Sequence, residues 1–206
     1  MPNVPSSSRR DLQLAEEIRL IAGAKHGDHA SFETLVDLYM GKAMSVARTY
    51  TRNRDDALDL TQEAFYRVYR SLDRFREGEP FAPWFFKILR NTCLSWIERH
   101  RRRRHLSLDA PFAGSDDGHT PTHPDLKAIR PEASVETGEE QQMLHAAMAG
   151  LPLMHREILM LRHFEDLDYA SIAKVLEIPI GTVMSRLFHA RRKLKAALDA
   201  YMETSQ

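Results

Sequence analysis

Residues 106–138 constrain this chain more than any other stretch. They hold Pro111, Pro121, Pro124 and Pro131 together with Gly114 and Gly118, and no hydrophobic periodicity runs through them. Proline removes a backbone donor and fixes φ, so no helix or central strand can cross such a segment. The segment reads as a flexible linker, and it divides the 206 residues into two units, each small enough for one core. The expected boundaries are a disordered tail at 1–11, a first domain at 12–105, the linker at 106–138 and a second domain at 139–206.

Both flanking units carry helical periodicity, so the predicted fold is all-α. In the first unit Leu14, Ile18, Ile21 and Ala22 mark a helix over 12–24. Gly27, Asp28 and His29 break it. Asp28 or Ser31 can cap a second helix, whose stripe is Phe32, Leu35, Val36, Tyr39, Met40 and Met44. Asn53 introduces a third over 55–72. Projected at 100° per residue, Ala57, Leu58, Thr61, Ala64, Phe65, Val68 and Leu72 gather on one side, with Asp55, Asp56, Asp59, Gln62 and Glu63 opposite. An acidic face alone reads equally as a solvated surface, and acids suit a helix N-terminus.

Gly78 and Pro80 mark a loop over 75–81, followed by a fourth helix over about 82–100. Phe81, Phe85, Ile88, Thr92 and Trp96 share its inner side; Lys87, Arg90 and Asn91 point away and Trp84 sits at the margin. Cys93, the one cysteine, reads as a small core residue. Phe75, Phe81 and Trp84 flank the loop, so they either fill the core or present rings to nucleic-acid bases. Bases stack on such rings while cations follow the phosphates.

In the second unit helices are expected over 139–149, from Pro152 to about His163, over 169–176 and over 181–200. The last two are joined by the tight turn Glu177-Ile178-Pro179. That is a helix-turn-helix pattern. Val183, Leu187, Ala190 and Leu194 face inward on its second helix. Thr182, Ser185, His189 and Arg192 project outward with Arg186 on the flank, placed to reach base edges in a major groove. Arginine suits guanine, bidentate to O6 and N7. Arg191, Arg192, Lys193 and Lys195 would hold phosphates.

Lysine plus arginine equals aspartate plus glutamate, 29 each, so segregation carries the electrostatic information. Residues 87–104 hold seven basic side chains against one acidic, and residues 179–195 hold five basic and none acidic. With a single cysteine, neither an internal disulfide nor a cysteine-rich zinc site is possible, which fits a reducing, cytoplasmic setting. His119 and His123 are four apart, but Pro121 and Pro124 forbid the helix that would pair them on a metal. No metal and no cofactor is expected. No apolar run approaches a membrane span, and the N-terminal residues lack the apolar region of a signal peptide.

Four blocks, DDALDLTQEAFYRVYRSLDRF, PFAPWFFKILRNTCLSWIERHRRRR, LSLDAP and YASIAKVLEIPIGTVMSRLFHARRKL, together strongly resemble bacterial RNA polymerase sigma factors of the extracytoplasmic-function (ECF) group. The resemblance implies two helical domains on a flexible linker and a subunit that binds core polymerase, directs it to promoters and assists melting, commonly under stress. It implies that Asp56, Asp59, Leu60, Gln62, Glu63 and Phe65 meet the clamp helices of the largest polymerase subunit. It implies that the loop with Phe75, Arg76, Phe81 and Trp84, aided by Lys87, Arg90 and Asn91, opens the minus-ten element and captures a flipped base. The helix bearing Thr182, Ser185, Arg186, His189, Arg191 and Arg192 would read the minus-thirty-five element. An anti-sigma partner and the absence of catalysis are further implications. The rival readings are a helix-turn-helix regulator acting without a holoenzyme and a nuclease built on Asp56 and Asp59. The second lacks a third ligand, a paired base and a phosphate loop.

Overall fold

The structure is a computed structural model that describes residues 6–51, 53–76, 78–108 and 139–204. It is all-helical in these residues. The elements are α1 (Ser6–Lys25), α2 (His29–Arg48), α3 (Arg54–Ser71) with a 3₁₀ turn (Leu72–Arg74), α4 (Phe81–Leu108), α5 (Glu139–Ala149), α6 (Leu153–Leu159) continued by a π turn (Met160–Phe164), α7 (Tyr169–Leu176) and α8 (Ile180–Thr204). The linker reading and the His119/His123 pair fall on 109–138, outside the described residues.

Side-chain caps set where helices begin. Asp28 accepts from the Ala30 amide at 3.1 Å and from the Ser31 hydroxyl at 2.5 Å; the hydroxyl bond is the main cause of its lowered pKa. Gly27 precedes it at φ +85°, a conformation open to glycine. Gly23 is needed for a different reason: a Cβ there would meet the Ser31 Oγ at 2.5 Å, where α1 and α2 approach. Asn53 accepts from the Asp56 amide at 2.7 Å and opens α3. Asp168 accepts from the Ser171 amide at 2.7 Å and opens α7.

Helices α1–α4 close on an aromatic core. The Tyr39 ring lies 5.2 Å from both Phe81 and Phe85, and Phe65 lies 4.9 Å from Phe85. Helices α5–α8 close on an aliphatic one, with Ile158, Leu159, Leu161, Ile172, Val183 and Leu187 all buried. The two groups also touch: α4 packs on α7, and α2 on the π turn.

Several boundaries and faces differ from the sequence expectation. Helix α1 starts at Ser6, inside the tail expected to be disordered, and α4 runs to Leu108, past the expected linker boundary. On α3 Leu58, projected onto the inner side, is 38% exposed, and Leu60, absent from that projected stripe, is buried. The two leucines lie on opposite flanks of the apolar stripe, so periodicity cannot choose between them; packing against neighbouring helices does. The helix expected to reach His163 changes to π geometry at Met160, where local pattern carries no signal.

Candidate nucleic-acid and partner-protein interfaces

The α3 face has two components. Asp55, Asp59 and Gln62 are exposed, and Asp56 and Glu63 are half-buried. Asn53 holds the Asp56 carboxylate at 2.7 Å, and Arg67 pairs with Glu63 at 2.7 Å. Leu60 and Phe65, expected on the partner-binding face, are instead interior residues at 3% and 5% exposure. They pack in the α1–α4 core, so in this conformation neither reaches a partner. The apolar side chains that α3 does expose are Leu58, Tyr66 and Tyr69. Sequence reasoning missed Tyr66; its only signal was a tyrosine at an outward register position.

The loop before α4 forms an open cleft of about 370 Å³. Arg74, Arg76, Lys87 and Lys174 give it positive walls against the single carboxylate of Glu79, and Phe75, Trp84, Pro80 and Pro83 line the rest. Lys25 fixes the loop by donating to the Phe75 carbonyl at 3.1 Å. The open choice for the three loop aromatics resolves unequally. Phe75 and Phe81 are core, 5% and 1% exposed, and their rings back Trp84 from 5.0 and 5.7 Å. Trp84 is half-buried and borders the cleft, so of the three rings it is the least buried. Arg76 is exposed at the same cleft; Asn91 is exposed farther along α4. Arg74 and Lys174 were not anticipated. Lys174 comes from the other domain, a contact no local pattern encodes.

Lys87 and Arg90, expected to point into solvent, are paired with the second domain. Lys87 meets Glu177 at 2.8 Å, and Arg90 meets Glu157 at 2.6 Å. The Lys87 bond lowers the Glu177 pKa. Tyr50 also donates to the Glu157 carboxylate, and burial drives the Tyr50 pKa well up. Across the loop Lys174 meets Glu79 at 3.3 Å.

The turn between α7 and α8 puts Glu177 in the left-handed region at φ 56°, its amide bonded to the Ala173 carbonyl. Val183, Leu187 and Ala190 then anchor α8 inward. Ser185, His189, Arg191 and Arg192 stand exposed, with Thr182 and Arg186 half-buried at their edge. The buried His155 lies near this basic helix; burial first, then the charges of Lys193 and Arg186, lower its pKa. Ile180, Met184 and Phe188 add an exposed apolar row at four-residue spacing, 49%, 55% and 63% exposed. That row was missed, although the spacing was visible in the sequence. Among the described residues no three His, Cys, Asp or Glu side chains gather as metal ligands would. No described helix is long and apolar enough to cross a membrane.

The two helical groups coincide with two family models: Sigma-70 region 2 matches residues 35–103, and Sigma-70, region 4 matches residues 141–194. The class is therefore that of sigma factors. Over 198 residues the chain is 33% identical to the RNA polymerase sigma-H factor of Pseudomonas aeruginosa, covering 94% of this chain and 96% of that one. It is also 33% identical over 184 residues to the ECF RNA polymerase sigma-E factor of Escherichia coli, covering 88% and 93%. Among solved structures, the sigma factor RpoE of Bartonella quintana in complex with the anti-sigma factor NepR matches with a TM-score of 0.61 and 26% identity, over 82% of this chain and 96% of that one. The structure of CnrH in complex with the cytosolic domain of CnrY shares the fold, with a TM-score of 0.63 at 24% identity over 90% and 98%. The chain belongs to the ECF group of RNA polymerase sigma factors and is an alternative sigma factor. Its family is one of non-catalytic transcription initiation factors.

Proposed function

We propose a division of labour along the chain. The α3 face carrying Asp56, Asp59, Gln62 and Glu63 docks core polymerase, with the exposed Leu58 and Tyr66 as its apolar component. The acids favour a basic partner surface and speed encounter with it, while the exposed rings supply area to bury. The cleft ahead of α4 takes the non-template strand of the minus-ten element. There Trp84 stacks on a base while Arg74, Arg76 and Lys87 follow its phosphates, and Arg90 and Asn91 extend the contact along α4 beyond the cleft. Helix α8 reads duplex DNA of the minus-thirty-five element through Thr182, Ser185, Arg186 and His189, and Arg191 and Arg192 hold the backbone.

The observation that carries this reading is the pair of separately built basic surfaces. One is a cleft bordered by tryptophan, suited to a single strand; the other is an exposed helix, suited to a groove. The protein itself performs no catalysis, works in the cytoplasm, and is regulated by an anti-sigma partner, as the Bartonella relative is captured with one. Purified protein added to core polymerase on a genomic promoter library tests it. Run-off transcripts absent with core alone are expected; none appearing while a control sigma factor works would refute it.

A further inference from the structure

Phe188 is the most exposed large apolar side chain among the described residues, at 63%. It ends a row on α8 with Met184, 55% exposed, and Ile180, 49% exposed. The row does not serve the core, because Val183, Leu187 and Ala190 already close α8 on it. Projected at about 100° per residue, Phe188 falls between Met184 and the outward residues Ser185 and Arg192, while Ile180 turns back toward the buried side. The Phe188 ring meets the His189 ring edge-on, with centroids 5.4 Å apart. Phe188 and Met184 therefore belong to the same surface as the polar side chains of α8.

We propose that Met184 and Phe188 are specificity-determining residues that read thymine in the minus-thirty-five duplex through its C5 methyl group. The inference rests on the assignment of α8 to that element. It adds an apolar readout to the hydrogen-bonding one of Ser185, Arg186 and His189.

Charge and shape select the occupant of the row. In the major groove the thymine methyl is the apolar group that a base pair displays, and it distinguishes T·A from C·G. Residues 179–195 carry five basic side chains and no acidic one, so the row stands among Arg186, Arg191, Arg192, Lys193 and Lys195. An apolar protein partner seated there would desolvate those cations without supplying counter-charge. A duplex supplies phosphates for the cations and methyl groups for the row on one surface. Met184 and Phe188 lie about one helical turn apart, roughly 6 Å along the axis, against about 3.4 Å of rise per base pair. Each therefore addresses a different base pair.

The test uses the holoenzyme and a minus-thirty-five duplex recovered from the genomic promoter library. Each thymine is replaced singly by deoxyuridine, which removes the methyl group and keeps both the pairing and the O4 acceptor. At one or two positions affinity should fall about two- to fourfold, the range expected for burying one methyl group. Met184→Ala and Phe188→Ala should each weaken binding of the thymine duplex and abolish the deoxyuridine effect at one position, while Met184→Leu keeps it. Both side chains are exposed, so neither change disturbs the core. No deoxyuridine effect at any thymine, or an effect that persists in both alanine variants, would overturn the inference. A recovered element without thymine would overturn it too. Arg186→Ala separates this inference from the reading beneath it. If that variant loses duplex affinity while the deoxyuridine scan is flat, the methyl readout fails and the minus-thirty-five assignment stands. If its duplex affinity is unchanged, the failure lies in the assignment itself.

Discussion

The two surfaces assigned to promoter DNA differ in availability. On α8, Ser185, His189, Arg191 and Arg192 stand in solvent. On α4, Lys87 and Arg90 are already engaged by carboxylates of the other domain. On the proposed reading, the duplex-reading helix presents its side chains to solvent, whereas two cations of the strand-capturing face are paired across the domain contact.

The largest effects should come from the two cores, and they ask whether the domains unfold as one unit. Phe85 is fully buried among Tyr39, Phe65, Phe81 and Phe86. Phe85→Ala should destabilise α1–α4 by about 3–5 kcal/mol, and Leu187→Ala should destabilise α5–α8 by about 2–5 kcal/mol, both read by urea denaturation. Each should shift its own transition. If both shift a single shared transition equally, the interdomain contact couples the two cores into one cooperative unit.

Arg90→Gln comes next. It leaves Glu157 buried without its cation, and such a loss costs about 3–5 kcal/mol of the closed form. The expected readout is an expanded chain by scattering; a chain as compact as wild type would show that apolar packing alone holds the domains.

Glu165 sharpens the comparison through pH. It lies on the domain contact, and its Oε2 has no hydrogen-bond partner; burial raises its pKa to about 7, partly offset by the Lys42 ammonium. A carboxyl raised in the folded state adds stability below its ordinary value near 4.5, and that contribution is lost as pH rises through about 7. Glu165→Gln should therefore match wild type in urea at pH 5 and exceed it at pH 8. Equal stability at both values would remove Glu165 from the contact's energetics.

The smallest effect belongs to a cap. Asp168→Ala frees the Ser171 amide and should weaken the second domain by about 1 kcal/mol. Its urea transition should move while that of the first domain stays.

Helices were legible wherever hydrophobic spacing and caps agreed. Residues 139–149 and 169–176 match their expected limits, and Asn53 and Asp28 open the helices they were expected to open. Leu58 and Leu60 were not legible, because a helix projection ranks faces and leaves the neighbour unspecified. The same gap explains Phe65, Phe75 and Phe81, whose aromatic character suits a core and a binding face alike. Lys87 and Arg90 were legible as cations on an outer face. Their partners Glu157 and Glu177 lie 67 residues or more away in sequence, and no periodicity reaches that far. The exposed row of Ile180, Met184 and Phe188 has a four-residue spacing that suits a buried stripe and an exposed one alike.

The most direct measurement compares two single substitutions on two separate ligands, a minus-thirty-five duplex and a minus-ten non-template single strand. The expected result is that Arg186→Ala weakens binding of the duplex and leaves the single strand unaffected, while Trp84→Ala weakens binding of the single strand by about 1–3 kcal/mol and leaves the duplex unaffected. Loss of both ligands by either substitution would contradict the difference between the two surfaces.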